Sequence, residues 1–280
     1  MGSSSSKPSG NAGGKAAGTI VNRVLKWPGA FRKAVSRKKK PGDTGTAPGP
    51  APKTDVPTPD APKGWTHPKH PDVKLSPEDN AAVDRFLERS RDAESRITPK
   101  MDEIAERNGS ELIGRDHRLK TEDSLKEKIA RIQRRNPDAT ADEAIKEIND
   151  SVRYTMGHSE GRYTEGVKDA QQSLKDAGFE PDPKQYKYKW NQDGKYQGIN
   201  TTWRDPETGT QFEVQHHTGK SFWAKDEGTH DLYDQMKVLD DGDPRKAALD
   251  AEQKKIFNEV PHPNNVQDLK TFDGSFGGGS

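Results

Sequence analysis

Tyr196-Gln197-Gly198-Ile199-Asn200 leads, through Asp205-Pro206-Glu207-Thr208-Gly209, into Phe212-Glu213-Val214-Gln215-His216-His217-Thr218. The first and last runs alternate as strands do, and the Pro- and Gly-bearing stretch between them turns the chain back. If Phe212 and Val214 face a core, Glu213, Gln215 and His217 share the opposite face. A sheet face bearing those three is an odd choice for bland surface, although an ordinary polar face is the alternative. Tyr196 carries a ring able to stack on a purine, and Lys189 and Lys195 stand near enough in sequence to meet phosphates. A tyrosine at a strand start is also an ordinary β residue.

Working outward, Ser151 to Met156 and Tyr186 to Trp190 read as further strands, and Glu111 to Gly114 as a short one. Helices are expected from Ser76-Pro77-Glu78-Asp79, where a cap hydroxyl, a first-turn proline and two acids come together, and again from Thr98-Pro99. Thr121 caps a helix carrying Ser124 and Lys128. Thr140-Ala141-Asp142-Glu143 has capping-box form, its helix ending near Asn149. Tyr163 to Ala177 is stopped by Gly178. Two helices, over 221–238 and 244–258, close the domain. The fold class expected is α+β, a mixed β-sheet flanked by helices over 76–260, preceded by a disordered arm over 1–75 and followed by a flexible tail over 261–280.

Composition supports the arm. Of 280 residues only 28% are hydrophobic and the mean hydropathy is −1.16, so part of the chain buries too little to offset its entropy. Lysine and arginine number 46 against 45 acids, and net charge gives no pointer to nucleic acid. The distribution is uneven: residues 1–53 are rich in Lys and Arg, with Asp43 as their acid, and the later part is acidic. Ile20, Val21, Val24, Leu25, Phe31 and Val35 among basic residues form a cationic amphipathic segment broken at Pro28. It reads as attraction to an anionic membrane or nucleic acid, as an export address, or as a solubilising tether. Met1-Gly2 with Ser6 also fits the myristoylation pattern. No apolar run reaches the length of a membrane span. There are no cysteines, which excludes disulfides, thiolate zinc and cysteine nucleophiles.

Two more segments carry chemistry. Arg118-Leu119-Lys120 precedes the helix on which Ser124 and Lys128, four apart, share a face. With the helix amides they could surround a phosphate chain; the alternative is a solvated charged helix. Asp150 stands at the start of the strand with Arg153, as a metal ligand or a turn former. His216, His217 and His230 lack zinc spacing. Gln211-x-Glu213 matches the Gln-x-Glu form of ADP-ribosyltransferases.

Taken in order, these segments resemble the synthetase domain of the RelA/SpoT family, the pyrophosphokinases that make alarmone nucleotides. Arg118-Leu119-Lys120-Thr121-Glu122-Asp123-Ser124-Leu125-Lys126-Glu127-Lys128 looks like its ATP-binding segment. Asn149-Asp150 with Arg153-Tyr154-Thr155 is similar to its magnesium-aspartate strand, where two more residues usually separate aspartate from arginine. Tyr196 to Asn200 resembles the acceptor-base loop, with Asn200 where histidine is usual. Phe212 to Thr218 resembles the Glu-x-Gln-x-Arg-Thr strand, with His217 replacing arginine. The variant wording looks closest to secreted nucleotide 3′-pyrophosphokinases and toxin-type synthetases.

The resemblance implies that Mg²⁺ is held by Asp150 and Glu213, both catalytic. ATP would lie on Arg118, Lys120, Ser124, Lys128 and Arg153, and the acceptor on Tyr196, Lys195, Asn200, Gln215 and His217. It implies pyrophosphate transfer to the ribose 3′-hydroxyl of a purine nucleotide; tRNA 3′ ends, or ADP-ribosyl transfer, are the alternatives. With no hydrolase module in the sequence, product would accumulate unopposed, as in a toxin secreted or injected into a target cell. Residence in the producer's cytoplasm is the other option. The partners implied are ATP, an acceptor nucleotide or tRNA, an immunity protein, and an export apparatus engaged through the arm.

Overall fold

Ser76 starts the longest element by accepting the Asp79 amide on its side chain, with Pro77 in the first turn. A computed structural model describes residues 63–191, 196–237, 239 and 242–272. The arm expectations over 1–62, the basic segment and myristoylation pattern included, lie outside the described residues. Ordered structure begins earlier than the expected Ser76. Strand β1 (Trp65–Thr66) pairs antiparallel with β2 (Lys74–Leu75), because Val73 and Leu75 are buried against the helix after them.

That helix, α1 (Pro77–Arg107), runs straight through Pro99, where the sequence signals predict a second helix to begin. Its buried stripe explains the continuity: Val83, Leu87, Ser90, Ala93, Ile97, Met101 and Ile104 are buried at three- and four-residue spacing. Burying such a stripe outweighs the roughly 3 kcal/mol an internal proline costs. Over a length of about 46 Å the helix serves two cores. Its first half packs with α2 (Glu122–Arg135) and α3 (Ala141–Ile145), and its second half lies on the sheet. Thr121 and Thr140 cap α2 and α3 as expected, but α3 stops at Ile145 and turns lead on to Asn149.

The sheet has five strands in the order β3-β4-β7-β6-β5: β3 (Glu111–Ile113), β4 (Val152–His158), β5 (Glu180–Tyr188), β6 (Ile199–Arg204) and β7 (Gln211–Thr218). Only β4 and β7 pair in parallel; the other pairs are antiparallel. The protein is therefore α+β with a mixed sheet flanked by helices. Strand β5 begins at Glu180, ahead of the expected Tyr186, because Pro181 and Pro183 are tolerated on an edge strand. The crossover helix α4 (Tyr163–Asp176) ends at Gly178, φ 86°. There the Phe179 amide reaches the Leu174 carbonyl at 3.1 Å and the Gly178 amide reaches that of Lys175 at 2.9 Å.

One sheet face is apolar: Val152, Tyr154, Met156, Trp203, Phe212 and Val214 pack on Ile97, Met101, Ala170 and Leu174. The other face is polar. After β7 the expected helix over 221–238 is divided into α5 (Gly219–Trp223), a π-helical turn (Ala224–Gly228) and α6 (His230–Lys237); α7 spans Pro244–Asn258. The tail expected from 261 is in part structural. Val266 and Leu269 are buried, and the Tyr186 hydroxyl donates to the Leu269 carbonyl at 2.7 Å. Among the described residues no helix is long and apolar enough to cross a membrane.

At the end of the apolar face His158 and His216 stack, ring centroids 5.3 Å apart. His158 Nε2 meets His216 Nδ1 at 3.0 Å and its Nδ1 meets Ser110 Oγ at 3.0 Å. Burial lowers His158 from 6.5 to about 4 and drives His216 well below 6.5. A folded value below the unfolded one means that the unfolded chain takes up protons first as pH drops. The pair's stabilisation is complete above pH 6.5 and is lost as pH falls from there through about 4. His158 alone should account for about 3 kcal/mol, so urea midpoints measured across that window should fall steeply, and His158→Phe should flatten the fall.

Candidate active site

The polar face is built by register. Arg153, Glu213 and Thr202 stand opposite one another across β4, β7 and β6, and Thr155, Gln215 and Asn200 form the next row. Glu213 is only 7% exposed, so its carboxylate must be solvated by the protein. Asn200 Nδ2 donates to one oxygen at 3.0 Å and Gln215 Nε2 to the other at 2.6 Å. Gln215 Oε1 in turn accepts from Lys225 Nζ at 2.9 Å.

From this carboxylate the proton polarity propagates outward. Because Asn200 gives its amide nitrogen to Glu213, its oxygen is left for the Tyr196 hydroxyl, which donates at 2.8 Å. With its proton spent, Tyr196 accepts from His217 Nε2 at 2.8 Å, leaving His217 Nδ1 to accept from Ser221 Oγ at 2.9 Å. Six side-chain contacts thus join Ser221 to Lys225 through Glu213. Burial, reinforced by the charge of Glu213, pushes the Tyr196 phenol well above its usual value. Burial, reinforced by Lys225, keeps His217 neutral. Burial and the neighbouring Arg153 bring Lys225 down to about 8.

A second cluster lies at the start of β4. Lys120 and Lys128 close on the two oxygens of Asp150 at 3.0 and 2.8 Å. Burial raises the Asp150 carboxyl, but the two ammoniums more than reverse this and hold it at about 2. Arg118 and Lys120 are stitched to the strand by backbone bonds, Arg153 N to the Arg118 carbonyl at 2.7 Å and Lys120 N to that of Ser151 at 2.9 Å. Asn149 Nδ2 reaches Thr202 Oγ1 at 2.9 Å, tying the Asp150 loop to the row that holds Glu213. Asp150 precedes Arg153, the register partner of Glu213, by three positions, roughly 10 Å of extended chain.

The expected residues therefore divide. Lys120, Lys128 and Asp150 meet, as do Tyr196, Asn200, Glu213, Gln215 and His217. Arg118 is engaged by Glu94 of α1, and Ser124, exposed, accepts from its cap Thr121 at 2.8 Å. His217 is fully buried behind Tyr196, so it holds that residue and does not face solvent. The ring of Tyr196 packs on His217 and Phe257. The guanidinium of Arg153, half-buried, has no hydrogen-bond or ion-pair partner among the described residues. Lys195 lies outside them. His230, exposed, pairs with Asp234. Among the described residues no group of three or more His, Asp or Glu is placed to hold a metal ion; Asp150 and Glu213 each offer the oxygen ligands that Mg²⁺ takes, and their contacts are with separate partners, the lysines for Asp150 and the amides for Glu213.

Reading the sequence missed Ser221, Lys225, Asn149 and Glu94. Thr218-x-x-Ser221 is a legible capping pattern, and both reciprocal bonds are present. Lys225 sits in Lys225-Asp226-Glu227, which reads as a solvated helix face unless the π-helical turn is known.

No protein-family model matches the chain, and no curated protein matches it. Among solved structures, smu.1046c from Streptococcus mutans UA159 aligns with a TM-score of 0.43 at 17% sequence identity, covering 62% of this chain and 89% of that one. At that score the likeness decides nothing about the site.

Two substitutions test the geometry. Tyr196→Phe strips Asn200 Oδ1 and His217 Nε2 of their partner and should cost about 1–3 kcal/mol in urea unfolding. Asp150 stabilises the fold above its unfolded value of 3.8, and the contribution is lost as pH falls through about 2. Asp150→Asn should therefore cost roughly 2 kcal/mol at neutral pH, and the gap from wild type should close in strong acid.

Proposed function

We propose that the chain transfers pyrophosphate from ATP to the ribose 3′-hydroxyl of a purine nucleotide. The observation that carries this reading is Glu213: a buried carboxylate, locked by two amides, whose row is tied through Thr202 and Asn149 to the loop that bears the lysine-bound Asp150. The resemblance of the ordered segments to RelA/SpoT synthetases supports it.

Each residue has work that its position permits. Lys120 and Lys128, whose ammoniums now neutralise Asp150, would exchange part of that contact for the donor's phosphates. Ser124 and Arg118 border the same cleft. Asp150 and Glu213 would hold Mg²⁺, which when bound supplies neutralisation of phosphate charge. The acceptor base stacks on Tyr196, whose ring His217 and Asn200 hold through its hydroxyl. The 3′-oxygen bonds to the β-phosphorus, the bond from that phosphorus to the α–β bridging oxygen breaks, and AMP leaves. The hydroxyl proton passes to a Glu213 oxygen, displacing one amide bond. Orientation and charge placement account for most of such catalysis.

The biological setting that fits is a toxin, secreted or injected. The test is incubation of the full chain with ATP, Mg²⁺ and a panel of adenine and guanine nucleotides, plus tRNA as a separate arm. AMP and a 3′-pyrophosphorylated product should appear, and Glu213→Gln or Asp150→Asn should cut the rate at least ~100-fold. Nicotinamide release from NAD without AMP formation would instead point to ADP-ribosyl transfer through Gln211 and Glu213, and absence of AMP with every acceptor would refute the proposal.

A further inference from the structure

Lys225 belongs to none of the segments that carry the resemblance, yet the π-helical turn aims its ammonium onto the polar face of β7. Such a turn adds a residue to the helical winding and rotates the side chains beyond it. The ammonium has three N–H groups. Among the described residues one is used, on the neutral amide of Gln215; the ring of Phe222 lies 5.5 Å away. Arg153, one row away on the adjacent parallel strand, has a guanidinium with no hydrogen-bond or ion-pair partner among them.

The local charge does not balance. Around the two clusters Lys120, Lys128, Arg153 and Lys225 set four cations against three carboxylates, Asp150, Glu213 and, on the turn of Lys225 itself, Asp226. Asp150 is already shared by two of the lysines, and Glu213 takes both its hydrogen bonds from amides. Lys225 is mostly withdrawn from water, with Arg153 facing it from β4, Glu213, Gln215 and His217 from β7, and Asp226 on its own turn. A half-buried excess of positive charge with unused donors suits an anion that brings several charged oxygens at once.

We infer that Lys225 and Arg153 form an anion subsite for the polyphosphate group of a nucleotide, beside Glu213. The subsite stands whether or not the bound group is then transferred. Its donors, one on β4 and one on the π-helical turn, offer two cations to an anion that carries more than one phosphate.

The probe is inorganic tripolyphosphate, titrated calorimetrically into the full chain without ATP. Lys225→Met should weaken its binding at least tenfold, Arg153→Met similarly, and Lys225→Arg should retain most of it. Parallel titrations with ATP and with GDP tell the sources apart: a Lys225→Met loss in the ATP arm assigns the donor's phosphates, one in the GDP arm the acceptor's. Should Lys225→Met fail to fold, amine labelling of the wild-type chain read by mass spectrometry replaces it, with tripolyphosphate expected to protect Lys225 more than exposed lysines. Unchanged affinity in a folded Lys225→Met protein, or labelling indifferent to tripolyphosphate, overturns the subsite. Loss of tripolyphosphate binding in Lys225→Met alongside a wild type that makes no AMP would keep the subsite and remove the transfer reaction. AMP formation and binding both indifferent to Lys225→Met would do the reverse.

Discussion

A carboxylate withdrawn from water must be solvated by something else, and the middle of β7 is arranged around that need. Glu213 sits between two core residues, Phe212 and Val214, so strand alternation places it on the polar face. Asn200 on β6 and Gln215 two places along its own strand supply the amide protons. Those amides then have oxygens to satisfy, which recruits Tyr196 and Lys225. The phenol recruits His217, and His217 recruits Ser221. One buried charge thus fixes the orientation of side chains from two strands, the bend before β6 and two helical segments, and no member can rotate without stranding its neighbour.

The parallel pairing of β4 with β7 sets Arg153 beside Glu213 and brings the start of β4, which Asp150 precedes, to the same strand pair. It requires a long crossover, and α4, β5 and β6 provide it. The helix α1 underwrites the result, since it seals the apolar face with its second half and holds α2, the bearer of Lys128, with its first. A chain with few apolar residues concentrates them where they count: three clusters, each served by a helix that also carries or backs a polar cluster.

Much of this is readable from residues because the signals are local. Thr121, Thr140 and Ser76 cap the helices their side chains advertise. The alternation in Phe212 to Thr218 places Glu213, Gln215 and His217 on one face, and i,i+4 spacing on α2 sets Lys128 beside the phosphate-binding candidates that precede the helix. The remainder depends on tertiary partners. Pro99 marks a helix start only if the stripe around it is not buried. Pro181 and Pro183 exclude a strand only if both its edges are paired. Trp65 to Leu75 lies in a Pro-rich setting that hides how Val73 and Leu75 pack. Lys225 reads as solvated because a single extra residue in a helical turn leaves no trace in composition. Alternation alone turns His217 toward a ligand, and burial sets it one layer back.

The prolines of β5 have a further effect. A sheet's outer strand exposes unpaired backbone groups that another chain can template upon, which is a route to aggregation. Pro181 and Pro183 remove donors from one margin of this sheet, and the irregular register between Asp182 and Lys187 bends it. The opposite margin, β3, is three residues long and offers little length for an incoming strand. Both rims thus carry features that discourage an incoming strand.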